Sequence, residues 1–134
     1  MSDKHSHLAP EGRLVWFVER LWHLARALPV RQISIDQIVE FDQNCWFGPT
    51  APPTCRVVAE HARRIYAADL QYPIILSADG YLMDGGHRIA KAYLLQLPEV
   101  RAVQFHLNPE PDYILTPDAP LPSQPRIPVL GSDL

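Results

Sequence analysis

The residue types best suited to chemistry in this chain lie together in the stretch Asp84-Gly85-Gly86-His87-Arg88. Two consecutive glycines let backbone N–H groups point outward without a Cβ in the way. A helix that begins there adds unpaired N–H groups and a positive dipole end. Arg88 supplies a fixed fork of donors that suits phosphate or carboxylate, and His87 supplies a donor whose charge can change near neutral pH. The stretch therefore predicts an anion-binding site.

Three carboxylates are candidates for a catalytic or metal-binding role at this site. Asp84 would repel an anion beside it unless it binds a metal such as Mg²⁺, orients a hydroxyl group or caps the following helix. Glu40 and Asp42 lie in a segment, 40–49, that mixes carboxylates, amides and aromatics without a clear period, as binding loops do. These two are the best candidates for a base or metal ligand brought to the site from elsewhere. The alternative is a surface connection with two aromatic side chains tucked under it.

Two short strands and a helix are predicted to hold the glycine turn. Residues 73–77 form a compact β-branched run, and 78–80 carry a hairpin signal that leads into a second strand at 81–83. After the turn, apolar residues recur at helical spacing, which places Gly86 or His87 in the first helical turn. The sequence thus predicts a strand, a glycine turn and the start of a helix.

The N-terminal part is predicted to contain a flexible segment and one long helix. Residues 1–9 are polar and are expected to be loosely ordered, whereas 10–28 have the apolar spacing of an amphipathic helix. Trp16 and Trp22 lie off the main apolar stripe of that helix. Such a wide apolar surface favours either a helix that packs on two sides within a small domain or one that meets a second subunit in a homodimer.

Three further elements are predicted around the turn: a strand over 30–35, a helix that starts from the signal at 50–54, and a last strand over 100–107. The helix is expected to continue to residue 67 or 68. His61 lies on its apolar face, where a partly buried structural role and a catalytic role are both open. In the last strand, the alternate set that begins at Arg101 is expected to face the core.

The fold class that follows is α/β, a single compact domain over 10–108 with a small mixed sheet and an N-terminal helix. Half of the 14 prolines come after residue 108. This composition favours an extended proline-rich tail over 109–134 and not another packed element.

Composition limits the classes of partner. The net charge of -3 and the absence of basic clusters argue against direct DNA binding and against attraction to an anionic membrane. Cys45 and Cys55 lack CxxC spacing, so neither a zinc ribbon nor a disulfide framework is indicated. The first residues show no signal pattern and no apolar run reaches membrane length, so we expect a soluble cytoplasmic protein.

Three consecutive motifs in this chain suggest a family: Tyr72-Pro73-Ile74-Ile75-Leu76, then Met83-Asp84-Gly85-Gly86-His87-Arg88, then a helix with Ala90, Lys91 and Ala92. Over about residues 30–107 the chain resembles the ParB/sulfiredoxin superfamily, and the glycine turn is the specific part. The resemblance implies a compact α/β fold whose strand, turn and helix bind nucleotide phosphates. Members include ParB partition proteins that bind CTP, sulfiredoxins that use ATP, and ADP-dependent free serine kinases.

Departures from the family motifs separate these members. Sulfiredoxins carry Gly-Gly-Cys-His-Arg, so Gly86 stands where their reactive cysteine belongs and sulfinic acid reduction is not expected. ParB proteins carry Gly-Glu-Arg-Arg, of which Gly85 and Arg88 match. Their following helix-turn-helix DNA reader is not expected here, because the segment after the domain is rich in proline. The serine kinases carry Asp-Gly-His-His-Arg, which this chain matches except at Gly86, and they are the closest local match.

Three functions are open for a chain with this resemblance. In the first, a ParB-like domain binds the phosphates of ATP, ADP or CTP, with Mg²⁺ as a further ligand, through Gly85, Gly86, His87, Arg88 and Lys91. In the second, the protein is a phosphotransferase or nucleotide hydrolase. Asp84 and Glu40 then supply metal binding or a base, while His87 and Arg88 neutralise charge on phosphorus. The third is a non-catalytic interaction module of a partition, toxin or mobile-element system.

Overall fold

Two β-sheets and three α-helices make up the part of the chain that the computed structural model describes, residues 3–48 and 52–122. In chain order the elements are β1 (Lys4–Ala9), β2 (Gly12–Phe17), α1 (Val18–Ala25), β3 (Arg31–Ser34), two 3₁₀ helices (Ile35–Gln37 and Val39–Asp42), α2 (Cys55–Ala67), β4 (Ile74–Leu76), β5 (Leu82–Asp84), α3 (Gly86–Leu94), β6 (Glu99–Gln104) and β7 (Tyr113–Leu115). The α/β class is confirmed.

The larger sheet is mixed and has the strand order β3-β6-β4-β5. Strands β4 and β6 run parallel, and the other two pairs are antiparallel. All three residues of β4 are buried, because helices cover both faces of the sheet. One buried cluster includes Ile89 and Ala92 of α3, and the other includes Leu21 and Ala25 of α1. The glycine turn leaves this doubly covered sheet at the end of β5.

The predicted strand, turn and helix around Gly85 are confirmed. Gly85 has a φ of +122°, and a Cβ at this position would lie 2.4 Å from Cγ2 of Ile74. Only glycine meets both conditions, because other residues rarely adopt this φ and there is no space for a side chain. Helix α3 begins at Gly86, as the periodicity predicts.

The prediction of one long helix over 10–28 is wrong for its first half. Residues Gly12–Phe17 form β2, which pairs with β1, and α1 covers only Val18–Ala25. The run that ends in buried Val15, Trp16 and Phe17 fits a strand covered on both faces as well as a helix stripe, and periodicity alone does not separate the two. Trp16 is therefore covered within the chain, which removes one of the two tryptophans on which the homodimer alternative rested.

Two terminal segments are more ordered than predicted. Strand β1 forms over Lys4–Ala9, within the segment expected to be loose. Strand β7 forms over Tyr113–Leu115 and pairs with β2, within the segment expected to lack packed elements. Of the predicted tail, residues 123–134 lie outside the described part of the chain.

Two other predictions concern α2 and β6. Helix α2 starts at a Thr54 cap and ends at Ala67, as predicted. In β6 both faces are covered, so Val100 and Ala102 are buried as well as Val103, while Arg101 is exposed. The expectation of a single buried set is therefore wrong. Within the ranges 3–48 and 52–122, no helix combines the length and apolar character that a membrane crossing needs.

Candidate functional site

A cavity of about 1020 Å³ lies over the start of α3. Its wall is formed by the N-terminal segment 3–10, the loop 43–46 and the turn region 81–88, with side chains from α1 and α2. Gly85 precedes the helix, and among the described residues no side chain caps it. The first N–H groups of a helix have no partner within it. The positive end of α3 and its unpaired donors therefore belong to the floor of the cavity.

Arg88 is held in place at this floor by two neighbours. Its Nη2 donates to Oδ2 of Asp84 at 2.8 Å, and its guanidinium lies over the Trp22 ring, 5.3 Å from the centroid. Trp22 Nε1 donates to the same Asp84 oxygen at 2.9 Å. Arg88 Nε is buried and has no hydrogen-bond partner in the described chain. The guanidinium is thus oriented with a donor unused.

The position of Asp84 decides among the alternatives that the sequence leaves open for it. Its carboxylate binds Arg88 and Trp22 and makes no cap on α3. The helix-cap alternative is therefore wrong. Asp84 instead positions Arg88, and the ion pair cancels the repulsion that a lone carboxylate would exert on an anion.

His87 is paired with a second histidine. Nδ1 of His61, on α2, lies 2.8 Å from Nε2 of His87, and the two rings are nearly parallel, with an interplanar angle of 9°. Burial, with smaller effects from Arg64 and His61, lowers the pKa of His87 to about 4. Burial and the charge of Arg64 also lower the pKa of His61. His87 is therefore neutral at pH 7 and offers hydrogen bonds, not the positive charge that its expected role requires.

Trp46 covers the histidine pair. Its ring stacks on His61 and His87 with centroid distances of 4.8 and 4.6 Å. A Cβ on Gly86 would come within 3.2 Å of Trp46 Nε1. Gly86 therefore allows the indole to approach the helix start closely. Trp46 lies in the segment 40–49, whose composition predicts a binding loop, but its pairing with His87 is not predicted, because the two residues lie 41 positions apart and no local pattern links them.

Of the remaining predicted site residues, Glu40 lies at the cavity, whereas Asp42 and Lys91 lie away from it. Glu40 lines the cavity, and its Oε1 is buried without a hydrogen-bond partner in the described residues. Asp42 is exposed and is not part of the lining. Lys91 donates to the carbonyl oxygens of Tyr66 and Ala68 at the end of α2, and it also lies outside the lining. Lys91 therefore stabilises the α2 terminus.

The predicted Mg²⁺ ligands do not form a common site. Asp84 Oδ2 is occupied by Trp22 and Arg88, and Asp42 is absent from the cavity wall. In the described residues, no three His, Cys, Asp or Glu side chains are grouped as metal ligands. Mg²⁺ is bound by carboxylate and phosphate oxygens. Because Asp42 lies outside the cavity that Asp84 lines, the residues present do not fit Mg²⁺ held by Asp42 and Asp84 together.

Strand β1 contributes a wall of the cavity that the sequence pattern does not predict. The rings of His5 and His7 lie tilted against the Trp16 ring, with centroid distances of 5.7 and 5.2 Å. Burial, and to a lesser degree His7, lowers the pKa of His5 to about 4. The available signal is the two-residue spacing of these histidines before Gly12, because alternate residues of a strand share one face.

The cavity wall carries balanced charge. Its cationic side chains are Lys4, Arg64 and Arg88, and its anionic side chains are Asp3, Glu40 and Asp84. Arg64 lies 3.5 Å from Asp3, as Arg88 lies beside Asp84. Attraction for an anion must therefore come from local donors at the α3 start and not from a long-range positive field.

Comparisons with family models, with curated proteins and with solved structures give no match to this chain. The arrangement of the site itself carries the functional argument.

Proposed function

We propose that this chain binds a nucleotide through its phosphate groups at the turn 84–88, as a ParB/sulfiredoxin-like domain. The observation that carries the proposal is the uncapped start of α3 on the floor of a 1020 Å³ cavity, beside an arginine with a buried, unpaired donor. Helix N-termini with adjacent glycines bind phosphate through backbone N–H groups and the helix dipole. The resemblance of the glycine turn to that superfamily supports the same ligand class.

The chemistry of each residue fits binding of a phosphate. Gly85 and Gly86 bring the backbone close to the ligand without side-chain obstruction. Arg88, fixed by Asp84 and Trp22, keeps its orientation when the ligand arrives, so little side-chain entropy is lost on binding. His87 adds a hydrogen bond and no charge.

The proposal covers binding and does not extend to phosphoryl transfer. In the second function considered above, Asp84 acts as a base or a metal ligand. Its Oδ2 accepts hydrogen bonds from both Trp22 and Arg88, which is the arrangement of a positioning residue. Carboxylates that act as bases need access to the proton they remove.

The proposal is tested by isothermal titration with ATP, GTP, CTP and tripolyphosphate on three proteins: wild type, Arg88→Ala and Arg63→Ala. Arg63 is an exposed arginine on α2 that lies outside the cavity lining, so Arg63→Ala removes the same charge elsewhere. We expect tripolyphosphate and at least one nucleotide to bind to wild type and to Arg63→Ala, and to bind at least tenfold more weakly to Arg88→Ala.

Circular dichroism of the three proteins checks that Arg88→Ala keeps its fold. Equal affinity of folded Arg88→Ala and wild type would contradict the proposal. So would the absence of binding by tripolyphosphate and all three nucleotides in wild type.

A further inference from the structure

A second cavity, of about 300 Å³, lies next to the first and shares part of its lining. Apolar and aromatic side chains dominate its wall, contributed by the 3₁₀ region, the loop that follows it, α2 and α3; they include Phe41, Phe47, Ile65, Ile89, Tyr93 and Leu94. Glu40, Trp46 and Gly86 line both cavities. A ligand whose phosphates lie on the floor of the first cavity can therefore place its other end in the second cavity.

The second cavity suits one flat ring. Its volume is at the lower limit of small-molecule pockets, which span about 300–1,000 Å³. Aromatic rings border it at steep angles: Phe41 and Tyr93 meet at 58°, and Trp46 and Phe47 at 83°. Aromatic walls favour another ring by stacking or edge contact. A nucleobase fits this description, whereas a whole nucleotide does not.

Glu40, which lines both cavities, adds an unsatisfied polar group to their shared wall. Its Oε1 is buried and accepts no hydrogen bond from any residue within 3–48 and 52–122. The hydrogen bond from Cys45 Sγ goes to the backbone oxygen of Glu40 and leaves Oε1 of the carboxylate unpaired. A buried acceptor without a donor is costly, and a ligand that brings the donor recovers that cost. An ionised carboxylate only accepts hydrogen bonds, so the ligand must supply an N–H or O–H group.

We infer that the second cavity takes the base of the bound nucleotide and that Glu40 selects a base with an exocyclic amino group. The inference rests on the proposed nucleotide binding. An amino group of adenine, cytosine or guanine donates to Glu40 Oε1. In the deaminated bases hypoxanthine, uracil and xanthine, a carbonyl oxygen replaces that amino group and faces the carboxylate as a second acceptor. Glu40 is then a specificity-determining residue.

Matched pairs of nucleotides isolate this contact. Each pair shares its phosphates and ring skeleton: ATP with ITP, CTP with UTP, and GTP with XTP. The two members differ at the amino position and in the proton that the deaminated base carries on the adjacent ring nitrogen. For the best-bound amino nucleotide, titration of wild type should give at least tenfold tighter binding than for its deaminated partner. Glu40→Gln should reduce that ratio to below about threefold, because an amide offers both a donor and an acceptor.

Filling the cavity provides a second variant. Ala90 is a half-buried residue of α3 that lines only the second cavity, so Ala90→Leu should occupy the space of the base. Ala62→Leu, at an exposed position of α2 outside both cavities, is the matched control. We expect Ala90→Leu to bind the amino nucleotide no more tightly than tripolyphosphate, with tripolyphosphate affinity unchanged.

The outcomes distinguish a failure of this inference from a failure of the proposed nucleotide binding on which it rests. If wild type binds amino and deaminated nucleotides equally, or if Ala90→Leu keeps the full nucleotide affinity, the inference is overturned while phosphate binding stands. If neither tripolyphosphate nor any nucleotide binds to wild type, both are overturned. A tenfold preference that is lost in Glu40→Gln supports both.

Discussion

The N-termini of α1 and α3 have an arginine at the same position but differ in the groups that contact them. In each helix the third residue is an arginine, Arg20 in α1 and Arg88 in α3. At α1, the fully buried Asp112 places Oδ2 3.0 Å from the backbone nitrogen of Phe17 and 3.4 Å from Nη1 of Arg20. The start of α3 opens instead onto the 1020 Å³ cavity.

This difference shows the kind of group that fits such a terminus. At α1 the chain supplies its own partners: Asp112 accepts from Phe17 N and pairs with Arg20, and the Val18 N–H donates to the Asp3 carbonyl oxygen. We call this terminus closed. At α3 the guanidinium of Arg88 is oriented by Asp84. In the described chain, Arg88 Nε has no hydrogen-bond partner, and no side chain caps the first N–H groups of the helix. Backbone donors and the helix dipole favour an anion at both places. The open terminus is therefore the one that can exchange a ligand.

The largest effect is expected where the chain's own anion is removed. Asp112→Ala leaves buried Arg20 without its carboxylate, which costs about 3–5 kcal/mol of unfolding free energy. Asp118→Ala, at an exposed aspartate nearby in sequence, should change it by less than about 0.5 kcal/mol. Urea denaturation of both variants measures the difference. Similar small losses would show that the closed terminus is not stabilised by its anion.

The open terminus depends on the backbone of Gly85. Gly85→Ala combines a positive φ with a Cβ contact of 2.4 Å to Ile74. We expect a loss of about 3 kcal/mol in the free energy of unfolding. In Gly80→Ala the φ is also positive, +88°, but no atom lies within 4 Å of the new Cβ. Its loss should be about 1 kcal/mol. Equal losses in urea denaturation would contradict the close packing of the turn on β4.

The same replacement, tryptophan by phenylalanine, can be made near each helix terminus. Trp22→Phe removes the donor to Asp84 at the open terminus and should weaken tripolyphosphate binding about fivefold, equivalent to about 1 kcal/mol. Trp16→Phe removes the donor to the Pro109 oxygen near the closed one. It should lower stability by about 1 kcal/mol and leave affinity unchanged. Titration and urea denaturation of both variants test this, and a loss of affinity in Trp16→Phe alone would reverse the assignment.

A further expected effect is a dependence of stability on pH. The pKa of His87 is about 4 in the folded chain against 6.5 for an unperturbed histidine. Between these values the unfolded state binds more protons, so His87 contributes to a loss of stability as pH falls from 6.5 towards 4. The midpoint of urea unfolding, followed over this range, should fall less steeply in His87→Gln. An unchanged slope would show that His87 does not contribute.

Sequence reasoning succeeds where signals are local. The β-branched run of β4, the glycine turn and the Thr54 cap each specify their element within a few residues, and the structure has all three. It fails where pairing is distant. The β2 strand depends on β1 and on β7, almost 100 residues away, and the run of buried residues in β2 fits a helix equally well.

The candidate site shows the same division. Gly85, Gly86, His87 and Arg88 are found from sequence because they are consecutive. The contacts of His87 with His61, of Trp46 with Gly86 and of Trp22 with Asp84 join separate elements, so no local pattern contains them. The burial that lowers the pKa of His87 also arises only in the assembled fold.

The most direct test of an open anion site is a titration of ¹⁵N-labelled protein with tripolyphosphate, followed by the backbone amide signals. We predict that the largest shifts occur at Gly86, His87 and Arg88, while the amides of Phe17 and Arg20 stay unchanged, because Asp112 accepts from Phe17 N and pairs with the Arg20 side chain, and neither residue lines the cavity. Shifts that are absent at 86–88, or equal at the two helix starts, would contradict the account.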